Sequence, residues 1–230
     1  MTIKRLFIIA LLLVFSTSLH AQRFNKKGVY DGLRHGQWEA SLLAQGSGST
    51  DIEGENGSSI AIDDSFGWGF TVGWNMNAKF NFSYKFTMNK PDYTAVIVPE
   101  VGEGEDPADP REINYQMDKY AHALNATWHW FEGPLTPFLQ AGIGYTTIDS
   151  GIPSQPPQTG CWWDPWWGYI CDTYWKTYDT GDFAYNVGLG IRWDINGALF
   201  LRGSYNREFF KVDSGSLDFD TLTIDMGLMW

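Results

Sequence analysis

The two cysteines of this chain bracket the segment Cys161–Cys171 (CWWDPWWGYIC), which holds Trp162, Trp163, Trp166, Trp167 and Tyr169 within eleven residues, with Tyr174 and Trp175 just beyond. Two cysteines in an exported chain read as one disulfide. Closing so short a loop stabilises it by roughly 3 kcal/mol in the chain-entropy account. Indole rings on a pinned loop suit recognition of a sugar, a lipid or a protein surface. The simpler reading, which comes first, is that they fold back over the body of the protein or lie at a headgroup level, where Trp is at home. The loop has no histidine, and its sulfurs are better explained by a bridge than by a metal.

Other groups with chemical capacity are sparse. Beyond the N-terminal leader the histidines are His35, His122 and His129. The acids Asp51, Glu53, Glu55, Glu100, Glu103, Glu105, Asp106, Asp109 and Glu112 crowd two segments without the ligand spacing of an EF-hand, so they read as a solvated face, with weak Ca²⁺ or Mg²⁺ binding as the alternative. No metal centre or cofactor is expected. The formal charge is −11, or −13 once a leader carrying Lys4 and Arg5 is removed. An acidic surplus of that size excludes nucleic acid as a partner.

The elements that must position these residues announce themselves by a period of two. In Ser65–Met88, Phe66, Trp68, Phe70, Val72 and Trp74 alternate with Gly67, Gly69, Thr71, Gly73 and Asn75. After a short break Phe80, Phe82, Tyr84, Phe86 and Met88 alternate with Asn81, Ser83, Lys85 and Thr87. That is a pair of strands with one aromatic and one small or polar face. The same pattern recurs at Gln37–Ala44, Tyr115–Phe131, Thr136–Ile148, Phe183–Trp193, a strand after the Asp194–Gly197 turn, and Leu217–Trp230. Turns of about four residues alternate with longer, Pro- and acid-rich connections. Met1–Ala21 has a basic start, an apolar run and a small residue before the cut, as in a secretory signal peptide. Residues 22–36 read as a basic periplasmic lead-in and 37–230 as the barrel.

The expected fold is therefore all-β: an eight-stranded antiparallel up-and-down transmembrane β-barrel, with short periplasmic turns and longer extracellular loops. Only a closed barrel satisfies every strand hydrogen bond in a bilayer. A soluble lipocalin-like barrel is the structural alternative, but it would turn its apolar residues inward. In the membrane barrel Glu39, Arg192, Arg202 and Asp225 take the inward parity near the periplasmic ends of neighbouring strands, so they can meet as a paired network. That network reads as a structural plug, with an ion or proton path as the alternative. The inward glycines Gly67, Gly69, Gly73, Gly142, Gly144, Gly188, Gly190 and Gly227 point the other way, toward space for a thin lumen.

The chain resembles the small outer-membrane barrels of Gram-negative bacteria, the class of the OmpA transmembrane domain, OmpX and OmpW. The most specific feature is the C-terminal run Leu222, Ile224, Met226, Leu228 and Trp230, similar to the strand signal read by the barrel-assembly machinery, which usually ends in Phe. The resemblance implies a place in the cell outer membrane, among lipid and lipopolysaccharide, after insertion by that machinery. The role expected is structural or surface-binding through the loops, with the aromatic loop meeting a glycan or protein. A narrow OmpW-like channel for small or apolar molecules is the second reading. A lipid A-modifying enzyme is the third, weakened because no serine lies two residues after His122, as it does in the deacylase barrels. Deleting Trp230 is expected to lower insertion and raise periplasmic degradation. Normal amounts of heat-modifiable, membrane-inserted protein would contradict this reading of the C-terminus.

Overall fold

The computed structural model describes residues 34–54, 57–98, 109–212 and 215–230. The expected signal peptide and most of the lead-in lie outside the described residues. The strands are β1 (Trp38–Ser47), β2 (Thr50–Glu53), β3 (Ser59–Ile62), β4 (Ser65–Asn75), β5 (Phe80–Asn89), β6 (Asp92–Ile97), β7 (Arg111–Gln116), β8 (Asp118–His129), β9 (Leu135–Pro153), β10 (Gln158–Asp164), β11 (Gly168–Tyr174), β12 (Thr177–Asp194), β13 (Leu199–Val212) and β14 (Gly215–Met229). Eight of them close an antiparallel barrel in the order β1-β14-β13-β12-β9-β8-β5-β4. The closing seam pairs Glu39 with Met229 and continues to Ser47 opposite Thr221.

The alternation that built the strands decides which side is which. Leu42 is 72% exposed and Phe66 75%, while Glu39, Thr136 and Arg192 inside the barrel are 0–1% exposed. An apolar exterior around a polar interior is the reverse of a lipocalin and needs an apolar surround. The turns are made locally: Asn77 Oδ1 accepts from the amides of Lys79 and Phe80, and Asn196 Oδ1 from those of Ala198 and Leu199.

Three connections expected as loops are partly sheet. Residues 45–64 contain the end of β1 together with β2 and β3, and 89–114 contains β6 and most of β7. These form a four-stranded sheet, β2-β3-β6-β7, above the wall. The 149–182 stretch is not a loop either: β9 runs on to Pro153, β12 begins at Thr177, and β10 and β11 form a separate hairpin. The outward apolar pattern stops near Tyr145, but backbone pairing does not depend on it once strands leave the lipid.

Most of the space at the inward glycines is taken up by neighbouring strands, although Gly144 borders a small central cavity. A Cβ on Gly142 or Gly188 would run into the side chains of Asn125 and Asn206, and one on Gly190 or Gly227 into the rings of Phe138 and Phe200. Their missing side chains admit those of neighbouring strands, as a narrow eight-stranded interior requires. Gly227→Ala should therefore lower resistance to thermal or urea unfolding by roughly 1–3 kcal/mol. Gly203→Ala should cost nothing measurable, because no atom lies within 4 Å of its Cβ position.

Candidate functional site

Two regions carry the polar and aromatic chemistry: the barrel interior and the hairpin β10–β11. In the interior, β1, β14, β13 and β12 are consecutive in the wall and bring Glu39, Asp225, Arg202 and Arg192 together. Arg192 Nη1 donates to Glu39 Oε2 at 2.7 Å and its Nε to Asp194 Oδ1 at 2.8 Å. Arg202 lies 3.4 Å from Glu39 Oε1 and donates to Asp225 Oδ2 at 2.5 Å. Arg34 extends the series, with Nε 3.1 Å from Asp194 Oδ2 and Nη2 donating to the carbonyls of Phe131 and Gly133. The result is an unbroken alternation of charge, Arg34–Asp194–Arg192–Glu39–Arg202–Asp225, in which each cation faces an acid. Asn75 donates to Glu39 from β4, and the Phe200 ring lies 4.2 Å beneath the Arg192 guanidinium.

Sequence reasoning missed Arg34 and Asp194 as members of this chain. Asp194 shares the inward parity of Arg192, which was a usable signal. Arg34 precedes the first strand, where no periodicity points it anywhere.

A second pair lies nearer the extracellular rim. Lys119 Nζ is 2.8 Å from Glu208 Oε2, Thr146 donates to Glu208 Oε1, and Lys119 stands 3.8 Å over the Phe219 ring. Above it Ile62, Tyr93, Met117, Ile148, Phe210 and Phe219 belong to one apolar cluster joining the barrel rim to the upper sheet. Between the two charged layers is a cavity of about 40 Å³ lined by Gln45, Lys85, Thr87, Asn186, Asn206 and Glu208 among others. It has room for a few waters beside polar atoms such as Asn206 Oδ1, which has no protein partner.

The hairpin is pinned by the Cys161–Cys171 disulfide, its two cysteines directly opposite in register. Trp163 opposes Tyr169 on the disulfide's face of the ribbon and Trp162 opposes Ile170 on the other. At the tip Asp164 Oδ1 accepts from the amides of Trp166 and Trp167, and Gly168 closes the turn with a φ of 76°. The rings do not fold back over the mouth, which the apolar cluster covers: Trp166 is 83% and Trp167 80% exposed, and Trp162, Trp163, Tyr169 and Trp175 are exposed as well.

The remaining candidates are dispersed. His129 is buried inside the barrel. His122 faces outward, its Nδ1 2.6 Å from the Tyr84 hydroxyl. Among the described residues no group of three or more His, Cys, Asp or Glu is arranged to hold a metal. Leu222, Ile224, Met226 and Leu228 alternate on the outer face of β14, and Trp230 exchanges backbone hydrogen bonds with Trp38 beside the seam.

The family model for outer membrane protein beta-barrel domains matches residues 7–230. Among solved structures, the fold is similar to outer membrane protein OprG from Pseudomonas aeruginosa, with a TM-score of 0.55 and 10% identity over 87% of this chain and 98% of that one. It is also similar to Neisserial surface protein A, with a TM-score of 0.51 and 11% identity over 84% and 95%. No curated protein sequence matches.

Removing one member of the interior chain leaves a buried charge unanswered. Arg202→Ala strands Asp225 and weakens the hold on Glu39, and should destabilise the barrel by about 3–5 kcal/mol in equilibrium unfolding. Arg202→Ala with Asp225→Ala should recover part of that loss. An unchanged midpoint in the single variant would mean that water already screens the network.

Proposed function

This chain belongs to the outer membrane protein beta-barrel domain family, and on that premise we propose that it is a non-catalytic surface-binding protein that recognises a partner through the β10–β11 hairpin. As an outer-membrane barrel of the Gram-negative type it lies among lipid and lipopolysaccharide. The observation that carries the reading is the exposure of Trp166 and Trp167 on a tip whose backbone is fixed by Asp164 and whose base is crossed by a disulfide. A tip whose backbone is already ordered loses little backbone freedom when a partner covers it. The filled interior supports the same reading, with the six-residue charge series acting as a plug. Glu39, Arg192, Arg202 and Asp225 are then structural, and the Leu222–Trp230 strand serves the barrel-assembly machinery during insertion.

The central cavity beside Lys85 is the feature that favours the second reading, an OmpW-like channel for small or apolar molecules. A lipid A-modifying activity has less behind it, since the outward-facing His122 meets only the phenol of Tyr84 and neighbouring rings.

Surface attachment separates these readings. Cells displaying Trp166→Ala with Trp167→Ala should bind less glycan or protein partner than cells displaying the parent, with equal amounts of folded barrel. Steady single-channel current through the parent protein, combined with unchanged attachment in the variant, would transfer the assignment to the channel.

A further inference from the structure

We propose that the partner of the hairpin is a polycationic polypeptide surface, one that presents clustered lysine and arginine side chains. This rests on the recognition role proposed above and adds the chemistry of what is recognised. Two independent observations converge on it, one from the rings and one from the charges around them.

The rings are open. Among the described residues Trp162, Trp163, Trp166, Trp167 and Tyr169 make no contact with another aromatic ring or with a cation, and all are exposed. The face of an indole or phenol ring is the negative pole of its quadrupole, and Trp is the strongest such acceptor for a cation. Trp163 and Tyr169 stand opposite each other on one face of the ribbon, with Trp166 and Trp167 at its end. A side-chain cation can therefore approach from the flank or from above. The tip amides already have Asp164 as their acceptor, so covering them leaves no donor without a partner.

The charge on the extracellular side is negative in excess. Residues 149–182 contain five aspartates and a single base, Lys176. On the same extracellular side Asp51, Glu53, Asp63, Asp64, Glu112 and Asp179 are exposed and form no ion pair among the described residues. Two of the cations that accompany them are occupied: Lys90 lies 2.7 Å from Asp118, and Arg207 lies 2.8 Å from Asp220 and 3.2 Å from Asp218, which leaves Arg111 and Lys176 against the larger number of exposed acids. The hydrogen bond to Asp118 holds the Lys90 ammonium protonated above its ordinary range. A field of this sign speeds the approach of a cationic partner and repels anionic polymers. A neutral sugar would use the rings and gain nothing from the field. Clustered lysine and arginine side chains use both.

The test uses the full-length barrel in lipid nanodiscs and three probes: a short lysine- and arginine-rich peptide without aromatics, maltoheptaose, and heparin. The peptide should bind, heparin should not, and Trp166→Ala with Trp167→Ala should weaken peptide binding roughly tenfold. Raising NaCl tenfold should weaken it by about as much, because the contributing charges are exposed. Asp51→Asn, Glu53→Gln, Asp63→Asn and Asp64→Asn together should flatten that salt dependence. Heat-modifiable migration verifies that each variant is folded. Salt-insensitive binding of maltoheptaose that is lost in the tryptophan variant would overturn the cationic assignment and leave the recognition role standing. Peptide binding that survives loss of both tryptophans would overturn the assignment, because the hairpin would not be the site. If the variant also keeps full attachment to cells, the recognition role falls with it.

Discussion

The hydrogen-bonded seam between β1 and β14 is the constraint from which the other features follow. Once those strands pair, the sheet has no edge, and every residue of the wall belongs to one side or the other. Eight strands enclose a space only as wide as the side chains that fill it. Inward residues therefore meet each other with little water between them. Under that confinement a lone arginine is ruinous and an ordered series of arginines and acids is tolerable, because each charge loses its hydration but gains a neighbour of opposite sign. The alternation from Arg34 to Asp225 is the arrangement such a space admits, and it draws on four adjacent strands and the residue run that precedes them.

The two ends of the barrel are filled by different means. At the periplasmic end the filling is ionic, with Phe138 and Phe200 placed against Gly190 and Gly227. At the extracellular end it is apolar, and the four-stranded upper sheet contributes Ile62, Tyr93 and Ala95 to the barrel's own Phe210, Leu217 and Phe219. Tyr93 ties the layers by donating to the Ser150 carbonyl. The upper sheet is thus part of the fold's packing, and the aromatic hairpin is left outside it.

The wall was legible because period two, carried over whole strands, is a strong signal. Parity along those strands was enough to send Glu39, Arg192, Arg202 and Asp225 inward and His122 outward. Parity also held the Lys119–Glu208 pair, but nothing in a linear reading joins positions so far apart on strands that are not neighbours. Arg34 was hidden in a basic run that looked like an ordinary polar lead-in. The excess length of β9 and β12 escaped for a different reason: beyond the lipid the outward positions become Thr, Asp and Gly, and a hydrophobic pattern cannot report a ladder held by backbone alone. The exposure of the hairpin rings was open in principle, since covering the mouth or standing free depends on what else fills the mouth.

The unequal lengths of the strands have a mechanical consequence. β9 and β12 are 19 and 18 residues long, against 10 for β1 and β5, so one side of the wall rises as a two-stranded stalk that ends in the disulfide-bridged hairpin. A pull on the tip runs along both strands and is carried into β8 and β13 through ladders that lie parallel to the force. Such ladders are loaded in shear, with many hydrogen bonds resisting at once, and cannot be opened one rung at a time. The disulfide keeps the tip from unzipping first. The hairpin is therefore seated on a tether that holds under tension, and force applied at the tip is delivered to the barrel as a whole.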